Sequence, residues 1–251
     1  MDSALPKNTG DAEIKRHVQE YYRRLFEENH PPFGRLPIKM GKELAEFLGY
    51  PISLLPSIPQ DRWEKFLPCG NPFPLLSLRG GDRLLNLGCG AAVDSFLIQE
   101  KYGCSVEVVN LDIVYGILQR ASSISGSANC RTKALLWICA DGECLPFGAD
   151  SFDWILMNGA LNLFPKKSLV LREVWRVLKP SGFLIGADLC AAASLPDSFR
   201  REKDAWAWCM SGACTEIELT GLFNSCGFKE TLLERQEEQD LLYRIHFSCQ
   251  K

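Results

Sequence analysis

The sequence predicts an α/β sandwich, a mostly parallel sheet of about seven strands with helices on both faces and the last strand antiparallel, behind an N-terminal helical cap. Three observations carry that expectation. From Asp82 onward, short apolar runs alternate with helical segments, the texture of strands joined by crossover helices. The first run ends in a Gly-x-Gly turn, Gly88-Cys89-Gly90, where a strand hands over to a helix. The chain closes on two apolar runs divided by the polar stretch Glu234–Asp240, which reads as an antiparallel hairpin.

Taken in order, residues 11–29 place Ile14, Val18, Tyr21, Tyr22 and Leu25 at helical spacing, with Asp11 as N-cap. Pro31, Pro32 and Pro37 break this helix, and a short helix from Lys42 to Leu48 precedes a proline-punctuated stretch to Pro74. Residues 1–78 thus read as a cap and linker packed over a main domain of residues 79–251. The expected strands are Arg83–Leu87, Val106–Leu111, Leu135–Cys139, Trp154–Met157 and Phe183–Ala187, with a helix over Ser168–Leu178 between the last two. Phe228–Leu233 and Leu241–Phe247 form the closing hairpin.

Composition narrows the function. A hydrophobic fraction of 46% suffices for a core, and 24% charged residues keep the surface polar. The net charge is -3, with no basic cluster, so a small-molecule partner is expected and a nucleic acid is not. No apolar run approaches the roughly 18 residues of a membrane span, and the N-terminus lacks the apolar stretch of a secretory signal. Eleven cysteines, an odd number at irregular spacing, point to a reducing cytoplasm, with thiols such as Cys139 packed as small hydrophobes in buried strands. His17, His30 and His246 are scattered and offer no pair at zinc-ligand spacing. Trp206 and Trp208 read as core, and the Arg200-Arg201 pair as a solvated face. Oligomeric state is not set by the sequence.

The chemistry concentrates at strand ends. In the Gly88–Gly90 turn, small residues let a cofactor approach the backbone and the helix N–H groups face it; a tight structural turn has the same look. Asp112 follows Gly88 by 24 residues and ends the second run with Ile113, where a carboxylate accepts two ribose hydroxyls or is a plain solvated acid. Asp141-Gly142 follows the third run, placing an acceptor for an adenine amino group at the carboxyl edge of the sheet. Asn158 ends the fourth run, beside the same crevice.

In this order and spacing, residues 82–190 resemble the class I S-adenosylmethionine (SAM)-dependent methyltransferases, a Rossmann-like superfamily. Within it, Leu48-Gly49-Tyr50, Pro68-Cys69-Gly70-Asn71-Pro72, Asn162-Leu163-Phe164-Pro165 and Trp206-Ala207-Trp208-Cys209-Met210-Ser211-Gly212-Ala213 resemble the arsenite methyltransferases. That resemblance implies SAM as cofactor, held by Asn86, Gly88, Gly90, Asp112, Ile113, Asp141, Gly142 and Asn158. It implies a trivalent arsenic acceptor held by Cys69 and Cys209, since soft metalloids prefer thiolates.

Three departures stand out. The family's further binding cysteine falls on Gly159, which ligates nothing. Cys190, Cys214 and Cys144 are the other candidates for a third sulfur, and an acceptor already carrying one carbon on arsenic needs only two. Asn86 replaces an acid and so loses a charge-assisted bond to the cofactor ammonium, and Ala92 replaces a third loop glycine. Both predict weaker SAM binding. Cys69 and Cys209 are alternatively ordinary buried cysteines, in a methyltransferase for another small acceptor or in a non-catalytic SAM-binding protein.

Overall fold

Each expected apolar run forms a strand. The computed structural model describes residues 9–27, 41–51, 53, 58, 60–124, 135–236 and 240–251. Within them the order is α1 (Thr9–Glu27), α2 (Gly41–Phe47), α3 (Gln60–Trp63), β1 (Arg83–Leu87), α4 (Val93–Tyr102), β2 (Glu107–Asp112), α5 (Tyr115–Ile124) and β3 (Leu135–Cys139). Then follow β4 (Phe152–Asn158), α6 (Lys167–Val177), β5 (Leu178–Ala191), α7 (Asp197–Arg200), α8 (Lys203–Ala207), α9 (Glu216–Ser225), β6 (Lys229–Arg235) and β7 (Leu242–Gln250). The breakers Pro31, Pro32 and Pro37, together with His30, lie outside the described residues.

The strands form one sheet in the order β3-β2-β1-β4-β5-β7-β6. β1 to β5 run parallel, while β7 runs antiparallel to both β5 and β6. The last strand alone is therefore reversed, as the closing hairpin requires. Because β1 lies between β2 and β4, the chain winds outward in both directions from β1. A crevice opens at the carboxyl ends of such strands, and ligands bind there.

Side chains alternate between the two faces with the period of a pleated strand. Leu84, Val108, Leu156 and Ile185 pack under the N-terminal segment with Tyr21, Phe26, Tyr50 and Phe66. Their neighbours Leu85, Val109, Ile155 and Leu184 pack on the opposite face against Val170, Val174 and Phe223 of α6 and α9. The N-terminal helices thus share one apolar cluster with the sheet. Trp206 is buried and Trp208 packs edge-on against Tyr21 at 5.8 Å, both as expected of core.

Several details differ from expectation. Asp11 lies in the first turn of α1 rather than at its N-cap, and β5 starts at Leu178, ahead of the expected Phe183. Cys139 is exposed rather than buried, because β3 pairs only with β2 and forms the sheet edge. β5 extends four residues past Ala187, since β7 pairs with it as far as Ala191↔Leu242; the extension draws Asp188 and Cys190 into the sheet. α9 starts on a capping box, with Glu218 N donating to Thr215 Oγ1 and Thr215 N to the Glu218 carboxylate. Among the described residues no helix is long and apolar enough to cross a membrane.

Candidate functional site

The crevice at the ends of β1, β2 and β4 is a cleft enclosing about 1060 Å³ of atom-free space, counting its open mouth. One face of α1, carrying Lys15, Val18, Gln19, Tyr22 and Phe26, forms its roof; these residues recur at the three- and four-residue spacing of a helix face. α1 is fastened there by Tyr22 Oη donating to Ala207 O at 3.0 Å, by His17 Nε2 against Asp204 at 2.8 Å and by Lys203 to Glu13 at 2.5 Å.

All the expected cofactor residues except Asp141 line this cleft. Gly90 is left-handed, at φ +49°, and a β-carbon there would find no atom nearer than the Phe26 ring at 4.0 Å. The space above that backbone is therefore open. The buried Asp112 carboxylate accepts from Gly90 N and Val114 N, both at 3.0 Å, which fixes it across the strand ends with lone pairs to spare. Burial raises its pKa.

The side chain of Asp141 is engaged elsewhere. Lys15 on α1 bonds the Asp141 carboxylate and reaches Glu143 at 2.7 Å. Burial pulls the Lys15 ammonium down, but its bonds to the two carboxylates outweigh this and leave its pKa raised. Asn86 forms part of the cleft wall, yet its amide donates to Ser95 Oγ at 2.8 Å. Ala92 does not crowd the cleft: its methyl is fully buried against Cys89, Leu118 and Ala121 behind the loop. The cost of this alanine lies in its left-handed backbone, φ +56°, about 1–2 kcal/mol for an L residue.

Asp94, on the first turn of α4, lines the cleft and was missed from the sequence. Its oxygens accept from Tyr50 Oη at 2.8 Å and Asn158 Nδ2 at 3.1 Å, and burial pushes its pKa up to about 6. The only advance signal was an acid in a helix's first turn, which is ordinary for any helix. Asn158 spends its amide on the protein itself. Its Oδ1 accepts from Cys69 N at 3.0 Å and Gly70 N at 3.3 Å, and its Nδ2 donates to Tyr50 Oη and Gly70 O as well as to Asp94.

Beyond Asn158 lies a thiol pair. Cys69, Cys209 and Asp188 each offer one ligand atom, and those atoms all lie within 4.8 Å of one another. Three distant segments meet here because Asn158 pairs with Ala187, which sets Gly159 and Asp188 side by side at the strand ends. Cys209 donates to Gly159 O at 3.2 Å. Its hydrogen bond with Cys69 and its burial hold its thiol well above the ordinary range. Its backbone is left-handed at φ +60°, a strain of the kind that collects at functional positions. Gly159 leaves room for the pair: a β-carbon there would lie 3.1 Å from Cys69 Sγ.

Asp188 is the third donor, and the sequence did not reveal it. It is 2% exposed, and burial lifts its pKa to about 6. Asn162 N donates to it at 3.0 Å, Asn162 Nδ2 at 2.8 Å and Leu189 N at 2.8 Å. Cys190 and Cys214 do not join the pair in this cluster; Cys190 Sγ instead donates to Cys214 O at 3.1 Å. Cys144 is exposed. All ten cysteines among the described residues are free thiols.

The family model described as a methyltransferase domain matches residues 78–244. An arsenite methyltransferase of Halobacterium salinarum is 27% identical over 77% of this chain and 49% of its own length. One from Aquipseudomonas alcaligenes is 29% identical over 86% of this chain and 62% of its own length. The chain thus spans about half to three-fifths of these relatives. Among solved structures, the arsenic (III) S-adenosylmethionine methyltransferase of Chlamydomonas reinhardtii superimposes with a TM-score of 0.66 at 26% identity, covering 79% of this chain and 72% of that one.

Proposed function

Because the chain belongs to the methyltransferase-domain family, we propose that it transfers a methyl group to a small soft acceptor, a trivalent arsenic species that already carries one carbon. S-adenosylmethionine is its cofactor. The cleft fits that cofactor: the backbone over Gly90 is open, and Asp112 is held at the strand ends with lone pairs free. Asp94 offers the carboxylate that Asn86 lacks for the cofactor ammonium. Bound there, the cofactor supplies an electrophilic methyl group on a sulfonium.

The observation that carries the acceptor is the grouping of the Cys69 and Cys209 sulfurs within 4.8 Å, with Asp188. Two thiols satisfy an arsenic centre that keeps one carbon and two exchangeable hydroxyls. Each As–OH and S–H pair condenses to As–S and water, so binding needs no net gain or loss of protons. The arsenic lone pair remains as the nucleophile. The protein's task is then placement in a dry pocket; Tyr22 lines the cleft and interacts electrostatically with both thiols.

Turnover of monomethylated trivalent arsenic by Cys69→Ser and Cys209→Ser variants tests the reading. Loss of arsenic-dependent S-adenosylhomocysteine formation is expected in each, with cofactor affinity kept. Turnover that survives both substitutions overturns it. A second reading, cofactor binding without methyl transfer, is favoured by Lys15 occupying Asp141 and by Asn86. Calorimetry with millimolar cofactor decides for binding; turnover of any acceptor rules this second reading out.

A further inference from the structure

The thiol pair and Asp188 have the makings of a cation site. Zinc takes thiolate and carboxylate ligands at about 2.3 and 2.0–2.2 Å in a tetrahedron, which sets neighbouring ligand atoms roughly 3.5–4 Å apart. The three donor atoms here already lie within 4.8 Å, so a contraction of about an ångström completes the ligand set. Cys209 and Asp188 are 4% and 2% exposed.

Asp188 is oriented as ligating carboxylates are. Three donors, two from Asn162 and one from Leu189 N, fill three of its roughly four lone-pair positions, and the Cys209 thiol bonds it as well; loss of that thiol proton to a cation vacates the position. Charge closes as well. Two thiolates, one carboxylate and a divalent cation sum to -1. Burial lowers the pKa of Lys167, while Cys214, Asp188 and Cys209 favour its charged form; that ammonium offsets the negative charge. Because the ligands sit at residues 69, 188 and 209, no short sequence spacing betrays them.

We propose that Cys69, Cys209 and Asp188 bind one thiophilic divalent cation of the zinc class, with the fourth position open, and that this cation excludes the methyl acceptor. Binding converts two thiols to thiolates and releases two protons: Zn²⁺ with two RSH and one carboxylate gives a Zn(SR)₂(carboxylate) centre and 2 H⁺. The metal-binding half stands on the geometry alone. Exclusion of the acceptor rests on the reading of the same thiols as the acceptor site.

Cobalt(II) titration of the full reduced chain tests the first half. One equivalent is expected to give thiolate-to-cobalt bands in the near ultraviolet and intense tetrahedral bands in the visible, both abolished by added zinc. Cys69→Ser and Cys209→Ser should each remove about half of the charge-transfer intensity. Asp188→Asn should keep it but weaken binding at least about tenfold. X-ray absorption of the zinc-loaded wild type, independent of any variant's folding, should show two sulfurs near 2.3 Å and an oxygen near 2.0 Å. A pale octahedral cobalt spectrum, bands indifferent to both serine variants, or a zinc shell without two sulfurs overturns the site. If zinc binds but leaves arsenic turnover untouched, the exclusion falls. Failure to bind zinc leaves the arsenic reading standing.

Discussion

Replacing Gly159 by cysteine restores the thiol that the arsenite methyltransferase pattern has at this point, and the structure sets what that costs. Gly159 sits at φ +67°, and the left-handed region costs an L side chain about 1–2 kcal/mol. Its β-carbon would stand 3.1 Å from Cys69 Sγ and 3.4 Å from Leu67 O, so Cys69 must give by a few tenths of an ångström, at about 0.5–1.5 kcal/mol if its rotamer is bent. Reduced freedom of the unfolded chain returns about 0.4–1 kcal/mol. The expected net destabilisation is about 0.5–3 kcal/mol, a fall in melting temperature of about 1–12 °C for a chain of this size. The gain is a third sulfur beside the pair, which should let inorganic arsenite bind more tightly than to the wild type. Thermal denaturation and arsenite titration read the two effects separately. An unchanged or higher melting temperature refutes the backbone argument. Arsenite affinity no better than wild type refutes the claim that position 159 faces the thiols.

Lys15→Met frees Asp141 and should tighten cofactor binding up to about fivefold, the worth of a partly exposed ion pair; calorimetry showing equal or weaker binding counts against α1 as a competitor for Asp141. Asp94 makes stability pH-dependent. Its folded pKa, about 6, exceeds the unfolded value, so its contribution is complete below about pH 4 and lost as pH rises through 6. Asp94→Asn should therefore gain stability over wild type across that window, by about 1–3 kcal/mol at neutral pH, in melting curves from pH 4 to 8; a gap that stays constant refutes it. Ala92→Gly relieves a left-handed residue but loses a buried methyl and adds chain freedom, so stability should move by less than about 1 kcal/mol. Its cofactor affinity should match the wild type's, and a clear improvement would put the Ala92 methyl back against the cofactor.

The strands were legible because their apolar runs are short, dense and separated by helical periodicity, and the Gly88–Gly90 turn marks where the first one ends. Their order in space was not. Nothing in Leu135–Cys139 says that it forms an edge, which is why Cys139 reads as buried and stands exposed. The expected cofactor residues follow from local motifs at strand ends, and all but Asp141 reach the cleft. What escaped depends on pairs far apart in the chain. Lys15 meets Asp141 across 126 residues. Asp188 lies one residue past the expected strand end, and its closeness to Cys69 and Cys209 exists only through the β4–β5 register.

Asn158 gives these two sites a common joint. A single amide grips the Cys69–Gly70 backbone with one end, and Tyr50 and the Asp94 carboxylate with the other. The floor of the cleft and the loop bearing the first thiol are therefore joined through one side chain. On the proposed reading, a cofactor that draws on Asp94 also draws, through Asn158, on the backbone of Cys69.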